Sequence, residues 1–254
     1  YLIPFLEQGG VFSSVGISER PDTLCGKVAE GRVAILVDGT PNVLLVPYLF
    51  TENFQSFDDY AHRPFYATFT RWLKYLAFFI ATFLPGIFVA IGTFHPELLP
   101  EPLLMKISEA EASTPFPLMA EAIVLHIMYE IMREAGLRVP ATLSHAVSIV
   151  GALVIGETAV SAGLIGGPTL LVVALTAISG YVVPKLYEPI AVMRLVFIIA
   201  GGLLGLWGIL LGFMGVLLNI SSESAYRVPF TAPVSPFGFR DMKDVIIRAS
   251  WKIL

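Results

Sequence analysis

The sequence is short of charge: 14% of its 254 residues are Asp, Glu, Lys or Arg, against 56% hydrophobic, where soluble domains carry about a quarter charged. With a mean hydropathy of +0.76, that shortage excludes an ordinary soluble domain and indicates a membrane protein. The net charge of -4 supplies no basic field, and Lys and Arg do not cluster apart from the flanks of apolar stretches, which excludes nucleic acid as a partner. Cys25 is the single cysteine, so neither a disulfide nor a cysteine-built metal cluster forms within one chain, and packing is its expected role. Enzyme signatures are missing as well: there is no HExxH, no GxSxG and no phosphate-cradling glycine loop. His126 and Glu130 stand at i and i+4, half of a metal site, but no second ligand pair accompanies them. The reading is a non-enzyme without metal or cofactor. The N-terminal "YLIPFLEQGG" has no initiating Met, basic region or cleavage signature, so the chain is expected to begin inside a longer protein. There is no repeat and no low-complexity tract.

What is present divides into three regions. Residues 1–60 read as the end of a cytoplasmic soluble domain with α/β character. There, the β-branched runs Val33 to Val37 and Val43 to Val46 flank Asp38-Gly39-Thr40-Pro41, a hairpin signal in which Asp38 serves the turn. Residues 61–225 read as a membrane domain and 226–254 as a cytoplasmic tail with amphipathic character. Residues 52–72 mix aromatics with charges and approach the membrane surface, with Trp72 and Tyr75 at the interface. "KYLAFFIATFLPGIFVAIGTF", Lys74 to Phe94, is long enough for a hydrocarbon core of roughly 30 Å. Pro85-Gly86 in its middle frees a backbone carbonyl, tolerated in lipid only where a neighbouring helix or water satisfies it. The kink serves either packing or gating.

Residues 95–117 are Pro-rich and acidic, with four Glu against one Lys, and read as an aqueous loop ending in a Thr114 N-cap. "FPLMAEAIVLHIMYEIMREAGLRVP" follows. On a helix turning about 100° per residue, His126, Glu130, Arg133 and Glu134 share one arc, opposite Leu125, Met128, Ile131, Met132 and Ala135. Arg133 can pair with Glu130 three residues back. The segment is therefore an amphipathic helix that lies along the surface or lines water. Glu121 is the exception, in the middle of the apolar side; it is held either by the dipole at its own helix N-terminus or faces an ion path or a neighbouring subunit.

Further spans are expected at about 143–163, 168–184 and 192–219, with Gly166-Gly167-Pro168 as a tight turn between the first two. Glu157 falls well inside an apolar stretch, where a charge at the bilayer centre costs from about 2.5 kcal/mol upward. It faces a cavity, a polar partner or an aqueous pathway, or is protonated, or sits in a membrane dip. Glu188 and Arg194 near the start of the last span read as interface anchors or functional groups. Gly201, Gly205, Gly208, Gly212 and Gly215, spaced by three or four, form a packing stripe for a tight bundle or an oligomer. Arg63, Arg71 and Lys74 precede the first span, and Arg227, Arg240, Lys243, Arg248 and Lys252 follow the last, placing both termini in the cytoplasm. The fold class is thus mainly α: a polytopic membrane protein of about four spans plus an amphipathic helix, with a small α/β soluble remnant at the N-terminus.

"GISERPDTLCGKVAEGRVAILVDGTPNVLLVPYLFTENFQSFDDY", "PFPLMAEAIVLHIMYEIMREAGLRVP", "HAVSIVGALVIGETAVSAGLIGGPTLLVVALTAISGYVVP" and "DMKDVIIRASWKIL" resemble, collinearly over nearly the whole chain, the A subunit of the GerA-type spore germination receptors. The resemblance implies a polytopic protein of the spore inner membrane, its termini on the core side, that lacks most of a larger N-terminal cytoplasmic domain. It also implies nutrient sensing together with B and C subunits. A homo-oligomer, pentameric in this family, would form a ligand-gated channel for monovalent cations, in contact with membrane lipid. Nutrient binding in the family is assigned to the B subunit. At Glu157 the family tends to place a polar residue after glycine, often an amide; here it is an acid. The expected ion-pathway or gating residues are Glu121, His126, Glu130, Glu134 and Glu157. A non-conducting scaffold is the alternative, and a secondary transporter is disfavoured by the lack of inverted repeats.

Overall fold

The computed structural model describes residues 3–6, 10–138, 156–238 and 241–247. They form two compact units, Tyr1–Leu76 with Met214–Leu254, and Ala77–Phe213.

In the first unit a small antiparallel sheet carries strands β1 (Gly16–Ser18), β2 (Val33–Leu36) and β3 (Val43–Val46) in the order β1-β3-β2, with helix α1 (Pro21–Ala29) between the first two. β2 and β3 pair with Val33 opposite Val46, and Gly39 takes the left-handed φ of +81° that their turn requires. The strand β1, pairing Gly16 with Leu45, has no signal in a three-residue run. Helix α2 (Pro64–Phe94) begins ten residues before the expected Lys74, because Pro64 occupies the first helical position and no breaker follows until Pro85. Its first turns hold the C-terminal segment. Arg71, counted above among the flanking charges, is fully buried, with Nη2 3.6 Å from Asp59 and Nη1 3.3 Å from the Asp244 carboxylate and also bonded to the Asp244 carbonyl. Lys74 reaches Asp59 at 3.3 Å, and Trp72 donates to the Ile246 carbonyl at 3.1 Å. Tyr60 donates to Asp244; burial first, then that bond, push its phenol above the usual range, so it remains a donor. Residues 239–240 and 248–254 of the expected tail lie outside the described residues.

The second unit is helical. Residues 95–117 are not a loop: α3 (Glu101–Ser113) occupies them, with Pro100 at the N-cap and Pro102 in the first turn, where prolines are tolerated. Thr114 is the C-cap of α3, its hydroxyl bonded to the Glu111 carbonyl at 3.1 Å. The amphipathic segment is α4 (Leu118–Arg138), bent by 79° from α3. α5 (Gly167–Val182) and α6 (Tyr187–Leu204) pack against it. The expected single span over 192–219 is corrected to two helices. Gly205 adopts φ +62°, and the chain reverses into α7 (Leu206–Ser222). Glycines at a helix interior resist breaking only weakly, and the apolar run concealed this one.

Among the described residues two helices, Pro64–Phe94 and Pro184–Leu204, are long and apolar enough to cross a membrane, or three if the bent α3–α4 pair counts as one span. α5 follows the expected 168–184 segment at 16 residues, and most of the 143–163 segment lies outside the described residues.

Glycines set the packing. A methyl on Gly201 would stand 2.4 Å from the Gly86 carbonyl oxygen, and one on Gly86 2.6 Å from that of Phe197, so α2 and α6 cross with backbones touching. Gly208 faces the Ala200 carbonyl, Gly212 the Phe197 ring, and the turn at Gly205 the Phe94 ring; Gly215 meets nothing within 4 Å. Gly86→Ala and Gly201→Ala are therefore expected to destabilise the protein by about 1–3 kcal/mol through overpacking. Gly215→Ala should leave the unfolding midpoint in detergent unchanged, and equal midpoints for all three variants would remove the backbone crossing from the account.

Candidate functional site: a polar network inside the helical unit

The side of α4 that faces its neighbours mixes polar and apolar residues. Leu118, Glu121, Ala122, Leu125 and His126 are buried, whereas Val124, Ile127 and Ile131 are exposed, Ile131 by 63%. His126 of the expected polar arc is thus buried together with Glu121 and Leu125 of the expected apolar side. A helix surrounded by lipid turns polar groups inward and apolar ones outward, the reverse of a helix in water.

Three clusters result. Glu121, 2% exposed, accepts a hydrogen bond from the Gly166 backbone N–H and a second from Thr169 Oγ1 at 2.7 Å. Gly166 is the N-cap of α5 and Thr169 lies in its first turn. The carboxylate thus caps a helix other than its own, where orphan N–H groups and the positive dipole end favour a negative charge. One turn on, His126 is 1% exposed; its Nδ1 stands 2.8 Å from the Ala122 carbonyl and its Nε2 3.4 Å from Thr176 Oγ1. A carbonyl only accepts, so the proton resides on Nδ1.

The third cluster centres on Glu130. Its carboxylate accepts from Tyr187 OH at 2.8 Å and from Arg133 Nε at 3.1 Å, and Arg194 Nη1 approaches it to 3.8 Å. The Arg133 guanidinium also lies 3.8 Å from the Tyr187 ring centroid, in cation–π range. Arg194 is the member that the sequence left open as an interface anchor or a functional group. It is 1% exposed, and its Nε donates at 3.0 Å to the carbonyl of Ala81. Ala81 stands four residues before Pro85, so this is the carbonyl that loses its helical partner at the proline. The signal was available: one orphan carbonyl and one arginine, each inside an apolar helix.

Glu134 and Arg138 form an exposed pair at 2.8 Å at the far end of α4. Glu157 differs from every other acid above. In the helical residues 156–161 its side chain is exposed and makes no hydrogen bond or ion pair among the described residues. Among the described residues no group of three His, Cys, Asp or Glu is placed to hold a metal.

The family model described as "Bacillus/Clostridium GerA spore germination protein" matches residues 3–254. Spore germination protein KA of Bacillus subtilis (strain 168) is 42% identical over 94% of this chain and 44% of its own length. Spore germination protein A1 of the same organism is 36% identical over 93% of the chain and 50% of its own length. Spore germination protein GerLA of Bacillus cereus is 35% identical over 91% and 47%. The chain thus spans about half the length of these curated relatives. No solved structure matches it.

The Glu121 cap yields a stability test. Glu121→Leu leaves the Gly166 N–H and the Thr169 hydroxyl buried without acceptors and is expected to cost about 1–3 kcal/mol. Glu121→Gln keeps one acceptor oxygen and should cost less. Thermal unfolding in detergent reads the difference, and a Leu variant as stable as the parent contradicts the cap.

Proposed function

The chain belongs to the Bacillus/Clostridium GerA spore germination protein family, and we propose that it is the membrane part of a nutrient germinant receptor subunit that forms a ligand-gated cation channel. In this reading several copies, five by the resemblance, assemble in the spore inner membrane with both termini on the core side. B and C subunits join them, with the nutrient bound outside this chain. Monovalent cations pass when the assembly opens.

Glu157 carries the proposal. An exposed carboxylate on an apolar helix is costly against hydrocarbon, so in a bilayer it belongs against water or a neighbouring subunit. Glu121, His126 and Glu130 are each committed to contacts between helices, which suits groups that hold a closed state. Glu134, paired with Arg138 at the exposed end of α4, suits the mouth of the path. The same internal pairing favours a second reading, a scaffold that assembles receptor complexes without conducting.

Ion flux separates the two. In liposomes holding the full-length protein with its partner subunits, Glu157→Gln is expected to lower cation conductance or cation-over-anion selectivity several-fold. Glu30→Gln, an exposed residue of the first unit, serves as control and should change neither. Equal flux and selectivity in Glu157→Gln and the parent would remove Glu157 from the path, and absence of flux from every sample supports the scaffold.

A further inference from the structure

We infer that Arg194 is the clasp of a hinge at Pro85-Gly86 in the first membrane helix. Three observations meet at one level of α2. Pro85 supplies no N–H, so the Ala81 carbonyl has no partner within its own helix, yet α2 continues unbroken to Phe94. Arg194 Nε, reaching across from α6, donates the missing bond at 3.0 Å. One residue after the proline, the Gly86 and Gly201 backbones touch, with Ile209 Cδ1 packed beside both glycines, which gives the two helices a close backbone contact about which one turns on the other.

The clasp has a second seat. Nη1 of the same guanidinium stands 3.8 Å from Glu130 Oε1, outside hydrogen-bond distance, and neither Nη1 nor Nη2 has a hydrogen-bond partner among the described residues. Residues 139–155 contain no acidic side chain, so Glu130 is the carboxylate within reach. Arg194 therefore stands between two acceptors, the orphan carbonyl of α2 and the carboxylate of α4. Seated on Ala81, it supplies the bond that the proline turn of α2 lacks. Moved fully onto Glu130, it gains a charge-assisted bond and leaves the proline turn with a carbonyl free to tilt. A bundle with two discrete arrangements of one buried cation is the element a gate requires. Its use as a gate rests on the channel reading above; the clasp itself does not.

A mutant cycle in the full-length protein separates them, because it is read by unfolding in detergent and needs no ion flux. Arg194→Met removes the donor and is expected to lower the unfolding midpoint. It should also speed amide exchange in the residues around Gly86 by roughly tenfold, the scale of one lost buried hydrogen bond. Pro85→Ala returns an N–H to the Ala81 carbonyl. In the double variant it is expected to restore most of the exchange protection and at least part of the midpoint, a result that a merely space-filling arginine does not produce. Additive effects of the two substitutions, or unchanged exchange around Gly86 in Arg194→Met, overturn the inference. If Glu130→Gln instead reproduces the whole effect of Arg194→Met and Pro85→Ala restores nothing, the arginine serves the carboxylate alone and the hinge is withdrawn.

Discussion

One backbone carbonyl organises the helical unit. Proline in the middle of a membrane helix strips the Ala81 oxygen of its partner, and no water stands in hydrocarbon to replace it. A buried guanidinium on α6 makes good the loss. Bringing that charge into the unit then requires company: Glu130 near its tip, the Tyr129 ring at 5.7 Å, and a close backbone crossing at Gly86 and Gly201 that sets α2 beside α6. Glu130, so engaged, is completed by Tyr187 and Arg133. The polar interior of α4 follows from the same constraint, since a helix that answers a buried arginine on one side must show lipid its apolar residues on the other.

The two ends of this logic differ in what they offer function. Glu121 and His126 are saturated by fixed partners: a helix N-terminus in one case and a carbonyl with a threonine in the other. Such groups set the geometry of the unit. Arg194, standing between two acceptors, and Glu157, exposed on an apolar helix, are the groups with somewhere else to go. In the first unit the buried Arg71 with Asp59 and Asp244 plays the first role again, fastening the C-terminal segment to the start of α2.

Much of the fold was legible wherever local chemistry decides. The Asp38-Gly39 turn and its strands, the long apolar helix through Pro85 and the inward demand of its orphan carbonyl all follow from residue type alone. Legibility failed where one pattern serves two structures. Prolines at 100 and 102 read as loop but start a helix, and an unbroken apolar run conceals the turn at Gly205 because glycine permits both a helix and a reversal. The helical wheel of α4 grouped His126, Glu130, Arg133 and Glu134 on one arc, but burial divides them: His126 is buried with Glu121 and Leu125 of the other side, and Glu134 is exposed. The role of Arg194 stayed open for a further reason: its partner lies 113 residues away, and no local window brings Ala81 and Arg194 together.

A cation channel requires that the full-length assembly enclose a path. An image of the purified complex at side-chain resolution is the direct measurement. A ring of copies around an axial opening, with Glu157 facing it and Arg194 seated on the Ala81 carbonyl in the closed form, is the predicted result. A closed heteromer with no axial opening, or Glu157 turned into lipid, contradicts it.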